Sequence, residues 1–256
     1  MHIFSLIANS VKEEARYKAN LLGAVLALLT LNSLQFIFFD VLSSLVGSDR
    51  VDANWLLLFF MSYAVGGLAV SFFCSSITEF YRQLTLGRVD SLLVRPISLL
   101  VLILFRWGQF HFLLVAVLLI MICVISNKID FHPFALSPVN TGLYLATLIA
   151  GVVASITFML GLSSFSFITQ RDLPVDYIHT SIFTFALFPD SFYSRSLSNI
   201  LVAVLPMIMF ASVALDALYN GLTWFVALFL IVVSATFFGV LKLVYSLFKR
   251  FDSIGG

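Results

Sequence analysis

The feature that most constrains this chain is a series of apolar runs, each long enough to cross a lipid bilayer. Residues 55–77 and 99–125 flank a short charged stretch, and runs of the same kind occupy 21–39, 141–169, 200–218 and 222–248. About 20 apolar residues in a helix cover roughly 30 Å of hydrocarbon. Inside hydrocarbon each backbone N–H and C=O must be bonded within the protein, which makes runs of this length helices. Composition agrees, because 61% of the 256 residues are hydrophobic and 11% are charged, where soluble domains have about 25% charged. The expected fold is an all-α polytopic membrane protein, one transmembrane domain over residues 1–256 with six spans.

Residues 1–20 read as an amphipathic helix lying in the interface. Ile3, Ile7, Val11 and Ala15 recur every four residues, with Ser10, Glu13, Glu14 and Lys18 elsewhere around the wheel. A cleavable signal peptide fits poorly, since the first apolar run follows Lys12, Glu13, Glu14, Arg16 and Lys18 and is longer than an h-region. After the first span comes an acidic loop, expected to be partly helical over 41–46, and 126–140 is a turn-rich loop with Pro133 and Pro138. Residues 170–199 contain an apolar patch, 178–188, too short to span, read as an interfacial helix followed by a loop. Pro206 inside the fifth run is a kink that a packed membrane helix tolerates, and a gating hinge is the other reading.

Charge distribution orients the six-span scheme. With both termini cytoplasmic, twelve basic residues lie inside: Lys12, Arg16, Lys18, Arg82, Arg88, Arg95, Arg106, Arg171, Arg195, Lys242, Lys249 and Arg250; two, Arg50 and Lys128, lie outside. That is a strong positive-inside bias. Formal net charge is only +1, so no global basic field recruits nucleic acid. Cys74 and Cys123 sit inside apolar runs, and the four histidines lack metal-ligand spacing, so neither a disulfide framework nor a metal site is expected. No glycine is followed by lysine, which excludes a phosphate-cradling P-loop. If ATP drives this chain, the ATPase is another subunit.

The charged stretch between the second and third runs, within 78–98, mixes alternating charges with apolar side chains and contains Gly87-Arg88-Val89-Asp90-Ser91-Leu92-Leu93-Val94-Arg95-Pro96. This Gly-x-x-Asp-x-x-Leu-x-Arg-Pro pattern resembles the loop signature of permease subunits of the type-2 ATP-binding-cassette transporter superfamily, in the compact six-span branch. Tyr17-Lys18-Ala19-Asn20-Leu21 resembles that branch's entry to the first span, and Phe251-Asp252-Ser253-Ile254-Gly255-Gly256 its C-terminal ending. The resemblance implies an ATP-driven exporter subunit in a bacterial plasma (inner) membrane. It would pair with a second copy or a related permease over two cytoplasmic ATPase subunits that carry the ATP and Mg. The loop would be the coupling helix, with Phe80, Tyr81 and Leu84 as anchors and Glu79, Arg82, Arg88, Asp90 and Arg95 setting register by charge. Gly87 and Pro96 would bound it. Glu79 and Arg82, three apart, have an internal ion pair as a competing role. The chain departs from the family at Phe251 and Ile254, and Val213-Ala214-Leu215-Asp216 lacks the proline expected of an external re-entrant element.

Polar residues inside the spans are the remaining candidates. Asn32 and Gln35, beside Ser33, lie in the first run; Arg106, with Gln109 and His111, lies in the third. Such groups are costly in hydrocarbon and mark a substrate path, or serve as interhelical glue and snorkelling charge. Ala146, Ala150 and Ala154, with Gly151 and Ser155, form a small-residue stripe for close helix approach, by a partner in this chain or another. Two other function classes stay open: an ATPase-independent secondary transporter or channel, and a non-transporting scaffold that docks a partner through the charged loop. Lipid, glycan, peptide and toxic amphiphile are all open as substrate.

Overall fold

The computed structural model describes residues 2–46, 53–89, 98–169 and 174–249, and among these every regular element is helical. Four helices are long and apolar enough to cross a membrane: α2 (Lys18–Val46), α3 (Ala53–Thr85), α7 (Pro138–Thr169) and α11 (Trp224–Lys249). They correspond to the first, second, fourth and sixth expected runs. The N-terminal α1 (His2–Ala15) precedes them. Residues 41–46, expected to be partly helical within the acidic loop, are helical and continue α2, with the Ser43 and Ser44 hydroxyls donating to the Asp40 and Val41 carbonyls at 2.8 and 2.7 Å. Asp40 is thereby held on a helix where it pairs with Lys128. The centre of the bundle is α3, which packs on α2, α5, α7 and α10.

The third expected run is not one helix. It divides into α4 (Leu99–Phe105) and the apolar α5 (His111–Ser126), with the short α6 (His132–Leu136) following. The interruption falls at Arg106, Trp107, Gly108, Gln109 and Phe110. Serine and glutamate side chains from other helices take over the freed backbone groups there, as described below.

The fifth expected run, 200–218, is not one straight helix. The chain makes α9 (Arg195–Val204) and α10 (Pro206–Asn220), bent against each other by 118°. Leu205, at φ −133° and ψ 64°, leaves the helix, and Pro206 starts the next at its first turn, where its missing N–H costs nothing. Arg195 at the start of α9 and Asp216 near the end of α10 line one cavity, so the pair is a hairpin that returns to the end it entered from. The bend forms without the proline expected at 213–216, and is made at Leu205 and Pro206. The patch 178–188, read as interfacial, also differs. It forms α8 (Val175–Phe183) with 3-10 turns at Thr184–Leu187 and Asp190–Phe192. This segment climbs beside α3: the Thr78 hydroxyl donates to Asp176 at 2.6 Å, and Phe183 stacks on Tyr63 with ring centroids 5.9 Å apart.

Asn54, Asp130, Asn140 and Leu218 are bonded to one another pairwise at one end of the bundle. Arg195 belongs to this end, in a cavity with Thr223 and Trp224. Arg195 thus stands at the end of the bundle away from Lys249 and not with it as expected, which changes the expected division of basic residues to eleven and three.

The small-residue stripe of α7 finds its partner in the same chain. Phe210 of α10 is fully buried and lies between Gly66 of α3 and Gly151 of α7. A Cβ on Gly151 would stand 2.3 Å from the Phe210 Cβ, and one on Gly66 2.4 Å from the ring. Ala154 and Ser155 are buried on this face, while Ala146 is exposed. Gly151→Ala is expected to cost about 1–3 kcal/mol through overpacking. Gly66→Ala meets only the ring edge, which a rotamer change relieves in part, so it should cost less. Thermal unfolding of the purified protein in detergent orders the two.

Candidate functional site

α3 is 33 residues long, roughly 50 Å at 1.5 Å per residue, and therefore exceeds the ~30 Å hydrocarbon thickness. Its final turns carry the charged sequence past the apolar stretch. Gly87, at φ +68°, ends it. The Arg88 N–H bonds to the Gln83 carbonyl and the Gly87 N–H to the Leu84 carbonyl, both at 3.0 Å, the paired bonds of a Schellman cap. Arg82 donates to both oxygens of Glu79 at 2.9 and 2.8 Å, and Gln83 adds a bond of 2.6 Å. The internal ion pair foreseen for Glu79 and Arg82 is thus present, with the Arg82 side chain 59% exposed.

Phe80, Tyr81 and Leu84, expected to be anchors for a partner, are buried within this chain. Phe80 packs against Trp107 and Phe248 at centroid distances of 6.0 Å, and the Tyr81 hydroxyl lies 3.3 Å from that of Ser164. Their surface holds the end of α3 to the α4–α5 interruption, α7 and α11. What the turn exposes instead is Arg82, Thr85, Leu86 and Arg88, with Leu86 at 55%. Asp90, Arg95 and Pro96 lie outside the described residues.

The interruption between α4 and α5 is lined by side chains from two other helices. Ser76 of α3 donates to the Ile103 carbonyl at 2.8 Å and accepts from the Trp107 N–H at 3.1 Å. Ser75 accepts from the Gln109 N–H at 3.4 Å. From α1, Ser10 donates to the Arg106 carbonyl at 2.8 Å, and Glu14 accepts from the Phe110 and His111 N–H groups at 2.7 and 3.3 Å. Glu14 also meets His111 Nδ1. A carboxylate from α1 therefore caps the start of α5, where the exposed N–H groups and the helix dipole favour negative charge. Gly108 lets α3 approach, for a Cβ there would lie 2.4 Å from the Phe72 ring.

Residues expected on a substrate path have local partners here. Arg106 pairs with Glu13 at 3.3 Å and sits 5.3 Å over the Trp107 ring, so it fastens α1 to the interruption. Asn32 is buried and donates to the Leu28 carbonyl of its own helix at 2.8 Å, while Gln35 is half-buried nearby. Pro206, the expected hinge, is the hairpin reversal. Sequence reasoning missed Ser10, Glu14, Ser75 and Ser76 because each acts on backbone far away in the chain.

At the opposite end a cavity of about 450 Å³ opens between the hairpin mouth and the start of α11, lined by Asp190, Tyr193, Arg195, Asn199, Asp216 and Trp224 among others. Asp216 accepts from Asn220 at 2.7 Å and from Thr223 at 2.5 Å.

The family described as ABC-2 family transporter protein matches residues 24–255. The chain belongs to that family. No curated protein and no solved structure matches it. As an ABC-2 family transporter protein it is a multi-pass integral membrane protein, the permease component of an ABC transporter. Components of this kind lack a nucleotide-binding domain and associate with ABC ATPase subunits.

Two outcomes follow for the residues nearest the projecting end of α3. Gly87→Ala has open space for its Cβ, so its cost is backbone strain alone, about 1–2 kcal/mol. Gly87→Asn should be milder, since asparagine tolerates this region, as thermal unfolding would report. Glu14→Ala should speed amide exchange at Phe110 and His111 by roughly tenfold or more, corresponding to loss of a cap of about 1–2 kcal/mol. Exchange in α10 should not change.

Proposed function

We propose that this ABC-2 permease forms the translocation path of an ATP-driven exporter and receives the movement of two cytoplasmic ATPase subunits through the end of α3. The observation that carries this reading is a long central helix, largely buried in the bundle, that ends in a capped turn with Arg82, Thr85, Leu86 and Arg88 exposed. An apolar side chain among mixed charges suits a docking surface in which charge sets register. Behind it, Phe80, Tyr81 and Leu84 join the turn to α4, α7 and α11, so a push on the turn moves packed helices as a body. α1 is the second lever, fastened to the α4–α5 interruption by Glu13, Glu14 and Ser10. The energy is the differential affinity of the ATPase pair for nucleotide in two membrane conformations. No step of ATP chemistry belongs to this chain; ATP and Mg are expected on the partner.

In this reading the chain crosses the membrane six times: α2, α3, α4 with α5, α7, residues 175–192, and α11. The α9–α10 hairpin dips in from outside and returns. Both termini and the α3 turn then share the cytoplasmic side, in accord with the eleven-to-three distribution of basic residues. The active unit is a dimer of permeases, of one kind or of two related kinds, in a bacterial plasma membrane. Asp90, Arg95 and Pro96 follow the cap in sequence and are assigned to the same docking surface by the family resemblance alone.

Mild-detergent purification of a tagged chain, with mass spectrometry of what binds, tests the docking surface. Wild type should bring down a P-loop ATPase in near-equal copy number to total permease. The triple variant Arg82→Glu, Leu86→Asp, Arg88→Glu should lose it while staying monodisperse. An ATPase retained equally by the variant, or none with folded wild type, would overturn the proposal.

A further inference from the structure

The cavity at the mouth of the hairpin has a charge arrangement that the coupling mechanism does not use. The Arg195 guanidinium lines it with no ion pair and no hydrogen bond among the described residues. Across the same space stand the carboxylates of Asp190 and Asp216, which also lack an ion pair there. Asp216 is held by the neutral donors Asn220 and Thr223, and the Asp190 backbone N–H donates to the Ser212 hydroxyl at 3.0 Å. All three side chains share one lining, and among the described residues no ion pair joins them. Tyr193 and Trp224 add aromatic surface, and the Tyr193 ring is fixed by a 3.1 Å hydrogen bond from its hydroxyl to the Phe185 carbonyl. Trp224 is 75% exposed, as an interfacial anchor would be.

Two carboxylates with aromatic rings make a setting for an ammonium group, by direct ion pairing and by attraction to the ring faces. An arginine without a partner suits a phosphate, which its planar fork can grip with two bonds. We propose that this cavity is a binding site for a zwitterionic headgroup of the phosphoethanolamine class, the ammonium toward Asp190 and Asp216 and the phosphate toward Arg195. The excess of one negative charge in the lining selects for the amine and against a purely anionic headgroup. The cavity, about 450 Å³, admits a headgroup while leaving acyl chains outside it. On the topology proposed above, the site lies at the outer leaflet, beside the hairpin that an exported amphiphile would pass. The site thus deepens the exporter reading by naming a substrate class, a short-lived occupant on its way out or a lipid held there.

The test is native mass spectrometry of the purified chain titrated with short-chain phosphatidylethanolamine, the matching phosphatidylglycerol, and free phosphoethanolamine. The site predicts that the ethanolamine lipid binds about tenfold more tightly than the glycerol lipid, a difference of about 1.4 kcal/mol. Asp190→Asn should erase that preference. Arg195→Gln, a change at an exposed position, should weaken both lipids alike and leave the preference in place. Asp216 is left intact because it holds the Asn220 and Thr223 turn. Binding of free phosphoethanolamine as well as lipid supports a headgroup site open to soluble ligands, whereas binding of lipid alone supports a bilayer source. Equal binding of the two lipids by wild type, or a preference unmoved by Asp190→Asn, would overturn the proposal. The measurement needs no ATPase, so its failure is separate from failure of the docking surface.

Discussion

The structure depends on one constraint: backbone polar groups at membrane depth must find partners inside the protein. Where the chain stays helical the requirement is met locally. Between Phe105 and His111 it is not, and the missing partners come from elsewhere: Ser75 and Ser76 of α3, Ser10 and Glu14 of α1. That solution ties the N-terminal helix and the central helix to the same few residues. A break in one helix has become the meeting point of the two elements through which we expect movement to enter the bundle.

The same point gives the buried end of α3 its mechanical sense. Phe80 touches Trp107, within the interruption, and Phe248, near the end of α11. In the proposed mechanism a displacement of the capped turn would reach the α4–α5 joint and the last helix through these ring contacts. Dense packing of this kind passes rigid shifts on and does not absorb them. At the other end the α9–α10 hairpin is equally fixed, because Phe210 fills the close approach left by Gly66 and Gly151.

How much of this was legible in the sequence followed from how local each cause is. The runs 21–39, 55–77, 141–169 and 222–248 announce their helices by length and apolarity alone, and those helices form. The run 99–125 passes the same length criterion, and its only hints of a break are Arg106, Gly108 and Gln109. Its partners lie about thirty and ninety residues earlier, where no window can see them. The run 200–218 also passes, yet Leu205 leaves the helix and the hairpin closes because α10 has a groove between α3 and α7 to fill, a tertiary cause. The patch 178–188 fails the length criterion because its turns are partly 3-10 and extended. Around the α3 turn, sequence could not say which side chains face which way: Phe80, Tyr81 and Leu84 face inward and Leu86 outward, a distinction that rests on where α4, α7 and α11 lie.

The central claim is that the Arg195 to Asn220 segment enters and leaves on one face while the start of α2 lies on the other. Cysteine labelling in intact cells with a membrane-impermeant maleimide tests it most directly, since Cys74 and Cys123 are both buried and contribute little background. Single cysteines at Ser196 and Leu222 should both label from outside, and one at Tyr17 only after permeabilisation. Labelling of Ser196 and Leu222 from opposite sides would make the segment a crossing and contradict the account.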